Sequence, residues 1–261
     1  MKHDPFDLGL FETERARRRL TLGSPVSWPD QTESTNDDAL SAAKKGALHG
    51  SLFGAETQTR GRGRRGSEWH STPGAGLWFS LLLRPKLRAE VAPLLALCAG
   101  LAVREVVAAR ATASVLVKWP NDVLADGRKI AGVLVESQVS GQNVGSVVVG
   151  IGLNVEQLEF PPELTNVATS LALLEASRRE REPLLAGLLG ALELRLGMLE
   201  MGNIGGILGE LRAHDALLDQ RLRIDDLEGT GAGIDDAGRL LLRLPTGELR
   251  PILSGRVTLV R

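Results

Sequence analysis

The sequence predicts an α+β protein in which a mixed β-sheet packed by helices is followed by a small C-terminal β-barrel. Hydrophobic residues make up 43% and charged residues 24% of the 261 positions, the balance of a globular chain that can bury a core. Helical spacing alternates with β-rich runs over most of the chain, whereas the C-terminal part contains short alternating segments separated by turn signals. We therefore expect a larger domain over residues 1–213 and a smaller one over 214–261.

The N-terminal part contains two short predicted helices. Residues from Phe6 to Leu20 have amphipathic spacing that ends before the breaker Gly23-Ser24-Pro25. The second helix follows the cap residues Ser34–Asp38, runs from Ala39 to Lys45 and ends at a glycine. We expect strands on either side of this second helix.

The central part combines β-strands with one long helix. The segment Ser51–Glu56 reads as extended, and Leu77–Leu83 reads as an apolar strand. Residues Ala89–Ala109 have one apolar face at helical spacing, with Pro93 in the first turn. Three β-rich runs joined by turns follow, at Val115–Trp119, Ile130–Glu136 and Val144–Ile151. Consecutive hairpins predict an antiparallel or mixed sheet.

The C-terminal part changes from helices to short strands. Helical spacing over Pro183–Leu199 and Ile204–Asp215 predicts two helices that pack on the sheet. The short alternating segments that follow are Arg221–Ile224, Gly231–Ile234, Leu240–Leu244 and Val257–Val260. A β-barrel of this size usually needs a larger neighbour for its stability.

Charge and cysteine content exclude several classes of protein. Lysine and arginine number 31 against 32 acids, so the net charge of −1 gives no overall attraction to nucleic acid or membranes. The single cysteine, Cys98, excludes a disulfide framework and a cysteine-based metal cluster. No apolar run approaches the ~18 residues of a membrane helix, and no apolar leader follows Met1. We expect a cytoplasmic protein.

The loop Gly61–Gly66 contains three glycines and three arginines, and Arg60 adds a fourth cation. It formally matches a dinucleotide fingerprint, but the broken sequence after it cannot begin the helix that such a site requires. Mobile backbone with guanidinium groups suits a phosphate or carboxylate ligand. Two alternatives are a solvated surface loop and a nucleic-acid-binding loop, although aromatic residues make up only 3% of the chain.

A second polar cluster, Lys118–Asp122, follows an apolar strand. Lys118 lies at the end of the strand, Pro120 prevents the strand from continuing, and Asn121 and Asp122 are typical turn formers. Taken alone, this segment fits an ordinary turn or strand end of a sheet. The same holds for the later runs Lys129–Gly132 and Gly150–Asn154.

Taken together, these motifs resemble the catalytic domain of the biotin protein ligases. The matching positions, in order, are Ser34-Thr35-Asn36, Gln58, Gly61–Gly66, Trp69, Lys118–Asp122, Lys129–Gly132 and Gly152–Asn154. The resemblance implies a biotin/lipoate-ligase-like catalytic domain with an SH3-like C-terminal barrel. It also implies an activity: MgATP activates biotin as biotinyl-adenylate, and the biotinyl group passes to a lysine of a biotin carboxyl carrier domain of a carboxylase such as acetyl-CoA carboxylase.

The resemblance implies a role for each matching residue. The implied biotin-binding residues are Ser34, Thr35, Asn36, Gln58, Gly61, Arg62, Gly63, Arg64, Lys129 and Gly132. Those implied for ATP or the adenylate are Arg62, Arg65, Trp69, Lys118, Asn121 and Asn154, and the implied catalytic residues are Lys118, Arg64 and Asp122. Read without the resemblance, Ser34–Asn36 could be a helix cap and Trp69 an aromatic anchor. Metal ligands and a homodimer stay open.

Two further expectations concern rival functions. Some members of this family carry an N-terminal winged-helix domain, but the segment before Ser34 is too short for one, so we expect no DNA partner. A lipoate or octanoate ligase shares the general fold of the family but lacks the hexapeptide Gly61–Gly66 and the pentapeptide Lys118–Asp122.

Overall fold

The computed structural model describes residues 4–140, 143–177 and 179–260. The helices in this part of the chain are α1 (Leu8–Arg17), α2 (Thr35–Lys44), α3 (Leu94–Ala108), α4 (Arg181–Glu200) and α5 (Ile204–Ala213). The first strands are β1 (Val26–Ser27), β2 (Gln31–Thr32), β3 (Leu52–Ala55), β4 (Thr57–Gln58), β5 (Gly76–Leu83), β6 (Val115–Lys118) and β7 (Asp122–Ala125). The others are β8 (Arg128–Ser140), β9 (Asn143–Asn154), β10 (Arg221–Ile224), β11 (Leu227–Ile234), β12 (Leu240–Arg243), β13 (Leu249–Ile252) and β14 (Val257–Leu259).

The main sheet has seven strands in the order β1-β3-β5-β9-β8-β7-β6. β1 pairs parallel with β3, and every other neighbouring pair is antiparallel, so the predicted mixed sheet is confirmed. β2 and β4 form a separate parallel pair, in which Thr32 lies beside Gln58.

The two faces of the main sheet pack against different helices because side chains alternate along each strand. On one face, Leu82 and Val148 pack against Ala39 and Ala43 of α2. On the other face, Leu81, Leu83, Val147 and Val149 join the main core, which includes α3 and α4. The short helix α2 thus covers only part of the sheet face that carries Leu82 and Val148. The candidate site lies beside α2 on that same face.

The helical layer is held by apolar packing and by one buried cation. Cys98 on α3 is fully buried, and burial raises the pKa of its thiol to about 12. Arg195 on α4 donates to Glu105 at 2.7 Å and also to Glu210, so one guanidinium links three helices. None of the helices in the described ranges is long and apolar enough to cross a membrane.

The C-terminal strands form a five-stranded antiparallel sheet in the order β13-β12-β11-β10-β14. This confirms a small β-domain, with β13 and β14 at the two ends of the hydrogen-bonded order. It packs on the larger part: its residues Leu222 and Leu240 belong to the same hydrophobic cluster as α3 and α4. The division at residue 213 stays a prediction.

Three strands were missed by the sequence analysis, the short β4 (Thr57–Gln58) and two longer ones. Asp122–Ala125 forms β7, because the turn ends at Asn121, whose amide donates to the Lys118 carbonyl at 3.2 Å. Leu249–Ile252 forms β13 although it contains Pro251. Proline is tolerated there because β13 is an edge strand with one side free of ladder bonds.

Candidate active site

One row of residues crosses the main sheet from β6 to β3 and carries residues of three predicted motifs. Hydrogen-bonded register places in this row Lys118, Asp122, Gly132, Gly152, Trp78 and Ala55. Cross-strand partners share a face, so the pentapeptide and the two glycine motifs meet although they are far apart in sequence.

A cavity of about 820 Å³ lies over this row. Its walls come from the N-terminal end of α2, the glycine–arginine loop (residues 60–66), the turn after β6, and the C-terminal segment 255–259. A volume of this size fits a small acid together with a nucleotide. The larger domain and the C-terminal domain thus both contribute to one cavity.

One end of the cavity is lined by neutral hydrogen-bonding groups. Ser34 precedes α2 but makes no side-chain capping bond, so the helix-cap interpretation does not hold for its hydroxyl. Gln58 Oε1 accepts from the Thr35 backbone amide at 2.9 Å and lies 3.1 Å from the Thr35 hydroxyl. With its oxygen used in this way, the amide nitrogen of Gln58 is left to act as a donor.

Beneath this end, Asn36 is held between α2 and the sheet. Its Oδ1 accepts from the Ser80 hydroxyl at 2.5 Å, and its Nδ2 donates to Glu136 Oε2 at 2.7 Å. Gly150 makes this approach possible, because a Cβ there would lie less than 3 Å from Asn36 Oδ1. Asn36 therefore has a fixed amide orientation.

Trp69 covers the glycine pair in the middle of the row. A Cβ on Gly132 or Gly152 would lie less than 3 Å from its indole ring. Its ring also contacts Trp78 edge-on, with centroids 6.1 Å apart, and Lys129 Nζ lies 5.3 Å from its centroid. The buried indole nitrogen has no hydrogen-bond partner within the described structure.

Cations collect at the other end of the cavity. Lys129 Nζ forms an ion pair with Asp122 at 2.7 Å, and both side chains are about one-third exposed or less. Burial lowers the pKa of Lys118, an effect that neighbouring Asp122 opposes and that the charges of Lys129 and Arg256 reinforce. Burial and the neighbouring Arg65 likewise lower the pKa of Arg64. Such crowding of positive charge favours an anionic ligand.

The arginines of the glycine–arginine loop point to different partners. Arg64 reaches into the cavity and donates to Asn121 Oδ1 at 3.3 Å. Arg62 pairs with Asp37 and Glu136, Arg65 pairs with Asp225 of the C-terminal domain at 3.0 Å, and Arg60 pairs with Glu33. They do not form the continuous basic strip that the nucleic-acid alternative requires.

The structure brings most of the predicted site residues together, with two exceptions. The predicted residues that line the cavity are Ser34, Thr35, Asn36, Gln58, Arg62, Gly63, Arg64, Arg65, Trp69, Lys118, Asn121, Asp122, Lys129 and Gly132. Gly61 and Asn154 do not line it. The Gly61 carbonyl accepts from the Trp69 amide at 2.9 Å at the base of the loop, and Asn154 Nδ2 donates to the Thr169 carbonyl at 2.9 Å.

The sequence analysis missed three kinds of site residue. Gly150 lines the cavity, and its spacing of two from Gly152 on a strand was the signal that both share a face. Val167 and Arg256 also line it, but they come from segments without a recognisable motif. Ser80 and Glu136 act from beneath and beside the cavity through Asn36, which only the fold reveals.

Comparisons with known proteins agree with this geometry. Residues 28–154 match the Biotin/lipoate A/B protein ligase family, and residues 221–260 match the Biotin protein ligase C terminal domain. The fold and the cavity thus define a ligase of the biotin and lipoate class. A biotin-acetyl-CoA-carboxylase ligase of Mycobacterium tuberculosis is 37% identical over 88% of this chain and 89% of its own length. The chain belongs to the biotin protein ligase family.

Further relatives support this membership. The bifunctional ligase/repressor BirA of Bacillus spizizenii is 35% identical and is matched over 91% of this chain and 75% of its own length. The biotin protein ligase from Aquifex aeolicus, solved in complex with biotin and ATP, superimposes with a TM-score of 0.76 at 28% identity. That match covers 91% of this chain and 99% of the A. aeolicus chain.

Proposed function

We propose that this chain activates biotin with ATP as biotinyl-5′-adenylate and transfers the biotinyl group to a lysine of a biotin carboxyl carrier domain. Membership of the family and similarity to ligases that act on acetyl-CoA carboxylase support the activity. The observation that carries the proposal is the polarity of one continuous cavity, neutral at Thr35 and Gln58 and cationic at Lys118 and Lys129.

The two ends of the cavity match the two ends of biotin. The ureido ring is uncharged and presents N–H donors and a carbonyl acceptor, which suits the hydroxyls of Ser34 and Thr35 and the amide of Gln58. The valeryl carboxylate would then extend along the glycine floor, formed by Gly132, Gly150 and Gly152, toward Lys129 and Lys118. The same end would hold the α-phosphate of ATP.

Adenylation brings two anions together. A carboxylate oxygen attacks the α-phosphorus, the bond from that phosphorus to the bridging oxygen breaks, and pyrophosphate leaves. Lys118 and Arg64 would stabilise the negative charge that grows on the phosphate oxygens. This electrostatic stabilisation is larger in a partly buried site than in water. Asp122 would hold the Lys129 ammonium in place through their ion pair.

The second step requires the intermediate to be protected and then exposed. The acceptor lysine amine attacks the carbonyl carbon of the mixed anhydride, AMP leaves, and the amine loses a proton. The glycine–arginine loop, with Gly66 in the left-handed backbone region, can cover the anhydride from water and later uncover it.

Magnesium forms part of the proposal as the ion that accompanies ATP. In residues 4–140, 143–177 and 179–260, no group of three or more His, Cys, Asp or Glu side chains could hold a metal by itself. Mg²⁺ at nucleotides usually takes phosphate oxygens plus one or two carboxylates, and Asp122 is a carboxylate at the cationic end. The donor set therefore fits an ion that arrives as MgATP. A cytoplasmic location belongs to the same proposal.

The test is exchange of labelled pyrophosphate into ATP with biotin, with lipoate and without an acid. We expect exchange with biotin alone, followed by a mass increase of one biotinyl group on a lysine when a biotin carrier domain is added. Exchange with lipoate but not biotin would reassign the chain to the other branch of the class. No exchange with either acid would contradict adenylation.

A further inference from the structure

Glu136 joins two parts of the site that no motif connects. It lies on β8 opposite Val148, on the same face of the sheet as Gly132, and beside the start of α2. Its Oε2 accepts from Asn36 Nδ2 at 2.7 Å and lies 3.4 Å from Arg62 Nη2. One carboxylate oxygen therefore contacts both the Ser-Thr-Asn segment and the glycine–arginine loop.

The contact with Asn36 fixes which way that amide points. With Nδ2 held by a carboxylate, Oδ1 must face the Ser80 hydroxyl, which in turn lies 2.8 Å from Thr35 Oγ1. A hydrogen bond to a charged acceptor is stronger than one between neutral groups, so the orientation is well determined. Glu136 thus orders the polar groups at the neutral end of the cavity from outside it.

The contact with Arg62 is weaker and more adjustable. The Arg62 side chain is 41% exposed and shares its guanidinium between Glu136 and Asp37, the residue next to Asn36. Exposed ion pairs are screened and contribute little by themselves. Because Asn36 already holds the Glu136 carboxylate in place, Arg62 meets a fixed partner, which lowers the entropic cost of holding Arg62.

We infer that Glu136 is a positioning residue that supports both the polar groups that would bind biotin's ring and Arg62 of the glycine–arginine loop, and that through this shared support it couples ring binding to closure of the loop. The inference rests on the proposed function, because it takes biotin as the ligand at the neutral end. Glu136 acts through Asn36 and Arg62. Its loss should therefore disturb binding and loop protection in separable ways.

The experiment uses the full chain and three substitutions. Glu136→Ala removes both contacts, Glu136→Gln keeps an oxygen for Asn36 but loses the charge that attracts Arg62, and Asp37→Asn weakens only the Arg62 side. Glu90→Gln is the matched control, because it removes the ion pair with Arg88 at 3.0 Å outside the cavity. Thermal unfolding establishes that each variant is folded.

Two readouts separate binding from coupling. Titration calorimetry gives the Kd for biotin, and trypsin cleavage after the loop arginines, with and without saturating biotin, reports closure of the loop. In the parent protein we expect biotin to slow cleavage. Glu136→Ala should raise the Kd by about 10- to 100-fold, the usual effect of losing a charge-assisted hydrogen bond, and should abolish protection even at saturating biotin.

The conservative variants sharpen the result. Glu136→Gln should bind biotin almost as the parent does but show reduced protection and a lower kcat for pyrophosphate exchange with little change in KM for biotin. Asp37→Asn should resemble it, and Glu90→Gln should match the parent in both readouts.

Two outcomes would overturn the inference while leaving the proposed function intact. One is parental protection in both Glu136 variants, and the other is a parent whose loop biotin does not protect although biotin binds and supports exchange. If Glu136→Ala does not fold, Glu136→Gln decides the question. A parent that binds no biotin and catalyses no exchange contradicts the proposed function itself, and the inference with it.

Discussion

Glycine is abundant both in the sheet beneath the cavity and in the loop beside it, but only the loop contains a glycine, Gly66, that the backbone conformation itself requires. In the glycine floor, defined as Gly132, Gly150 and Gly152, a Cβ would lie less than 3 Å from Asn36 or Trp69. At Gly66 of the loop nothing lies within 4 Å of a Cβ, and a φ of +74° is what favours glycine. The floor uses glycine to remove volume. In the loop, a Cβ on Gly61 or Gly63 would lie 2.5 Å from the Trp69 carbonyl or the Ser67 hydroxyl, so these two glycines also remove volume, whereas Gly66 turns the backbone.

The floor and the loop also serve different steps: the floor recognises the ligand, and the loop closes over it. Gly150 of the floor and the neighbouring Asn36 and Ser80 are buried, and a hydrogen bond of 2.5 Å joins the last two, which makes this region a rigid recognition surface for a ligand's shape. The loop is held by ion pairs that are half-exposed to solvent, as in Arg65 with Asp225. Such contacts can break and form again during a catalytic cycle.

The largest effect is expected from filling the floor. Gly150→Ala places a methyl group against Asn36 Oδ1, which should lower the free energy of unfolding by about 1–3 kcal/mol and abolish detectable biotin binding. Chemical denaturation and calorimetry measure the two quantities. Gly209→Ala is the control, because a Cβ on that helical glycine meets nothing within 4 Å. Parental biotin affinity in Gly150→Ala would show that the shape of the glycine floor does not determine whether biotin binds.

The next effect comes from the cationic end. Lys118→Ala should slow adenylation by about 10²- to 10³-fold and change the Kd for biotin much less, because the ammonium acts where charge grows on the phosphate. Single-turnover formation of the adenylate is the measurement. Lys44→Ala on the exposed side of α2 serves as the control for loss of a lysine. Equal single-turnover rates in Lys118→Ala and the parent would exclude this role.

A smaller effect is expected from alkaline pH. Burial lowers the pKa of Lys118 and so favours its uncharged form, so the adenylation rate should begin to fall at a lower pH than titration of an ordinary lysine would give. Lys118→Arg keeps its charge over the same range and should lose that decline. Single-turnover rates across an alkaline pH series test this, and an identical decline in both proteins would assign it to another group.

The smallest effect concerns the bridge from the loop to the C-terminal domain. Asp225→Asn removes the partner of Arg65, but both side chains are about half exposed, so the KM for ATP should change only at low salt. Steady-state exchange at low and high ionic strength tests this expectation. A large, salt-independent change would mean that the loop is anchored rather than adjustable.

Much of the architecture was predictable because burial leaves periodic patterns. The long apolar segment of α3 and the helical spacing of α4 predicted both helices, although α3 begins at Leu94 rather than at the predicted Ala89. β7 was missed because Asp122, a common turn former, is here the first residue of a strand. β13 was missed because Pro251 disfavours a strand except at an edge.

The predicted residues that line the cavity come from contiguous motifs and from two single positions, Gln58 and Trp69, that the family resemblance marked. Lys118 and Lys129 were marked by their motifs, and cross-strand register explains why they meet. Glu136 and Arg256 carry no local signal, because their positions depend on pairings between distant segments. Asn154 belongs to a motif, yet its amide supports the Thr169 backbone rather than the cavity.

The pentapeptide has a second attachment with consequences for the whole chain. Its Trp119 is buried, and its indole nitrogen donates to the Gly238 carbonyl of the C-terminal domain at 3.1 Å. The strand before it is also tied to the chain leading into that domain, through Val117 N and the His214 carbonyl at 2.8 Å. A chimaera that carries the C-terminal domain of a relative would therefore have to preserve these two hydrogen bonds. Without them, the strand that positions Lys118 would lose its support from the C-terminal part of the chain.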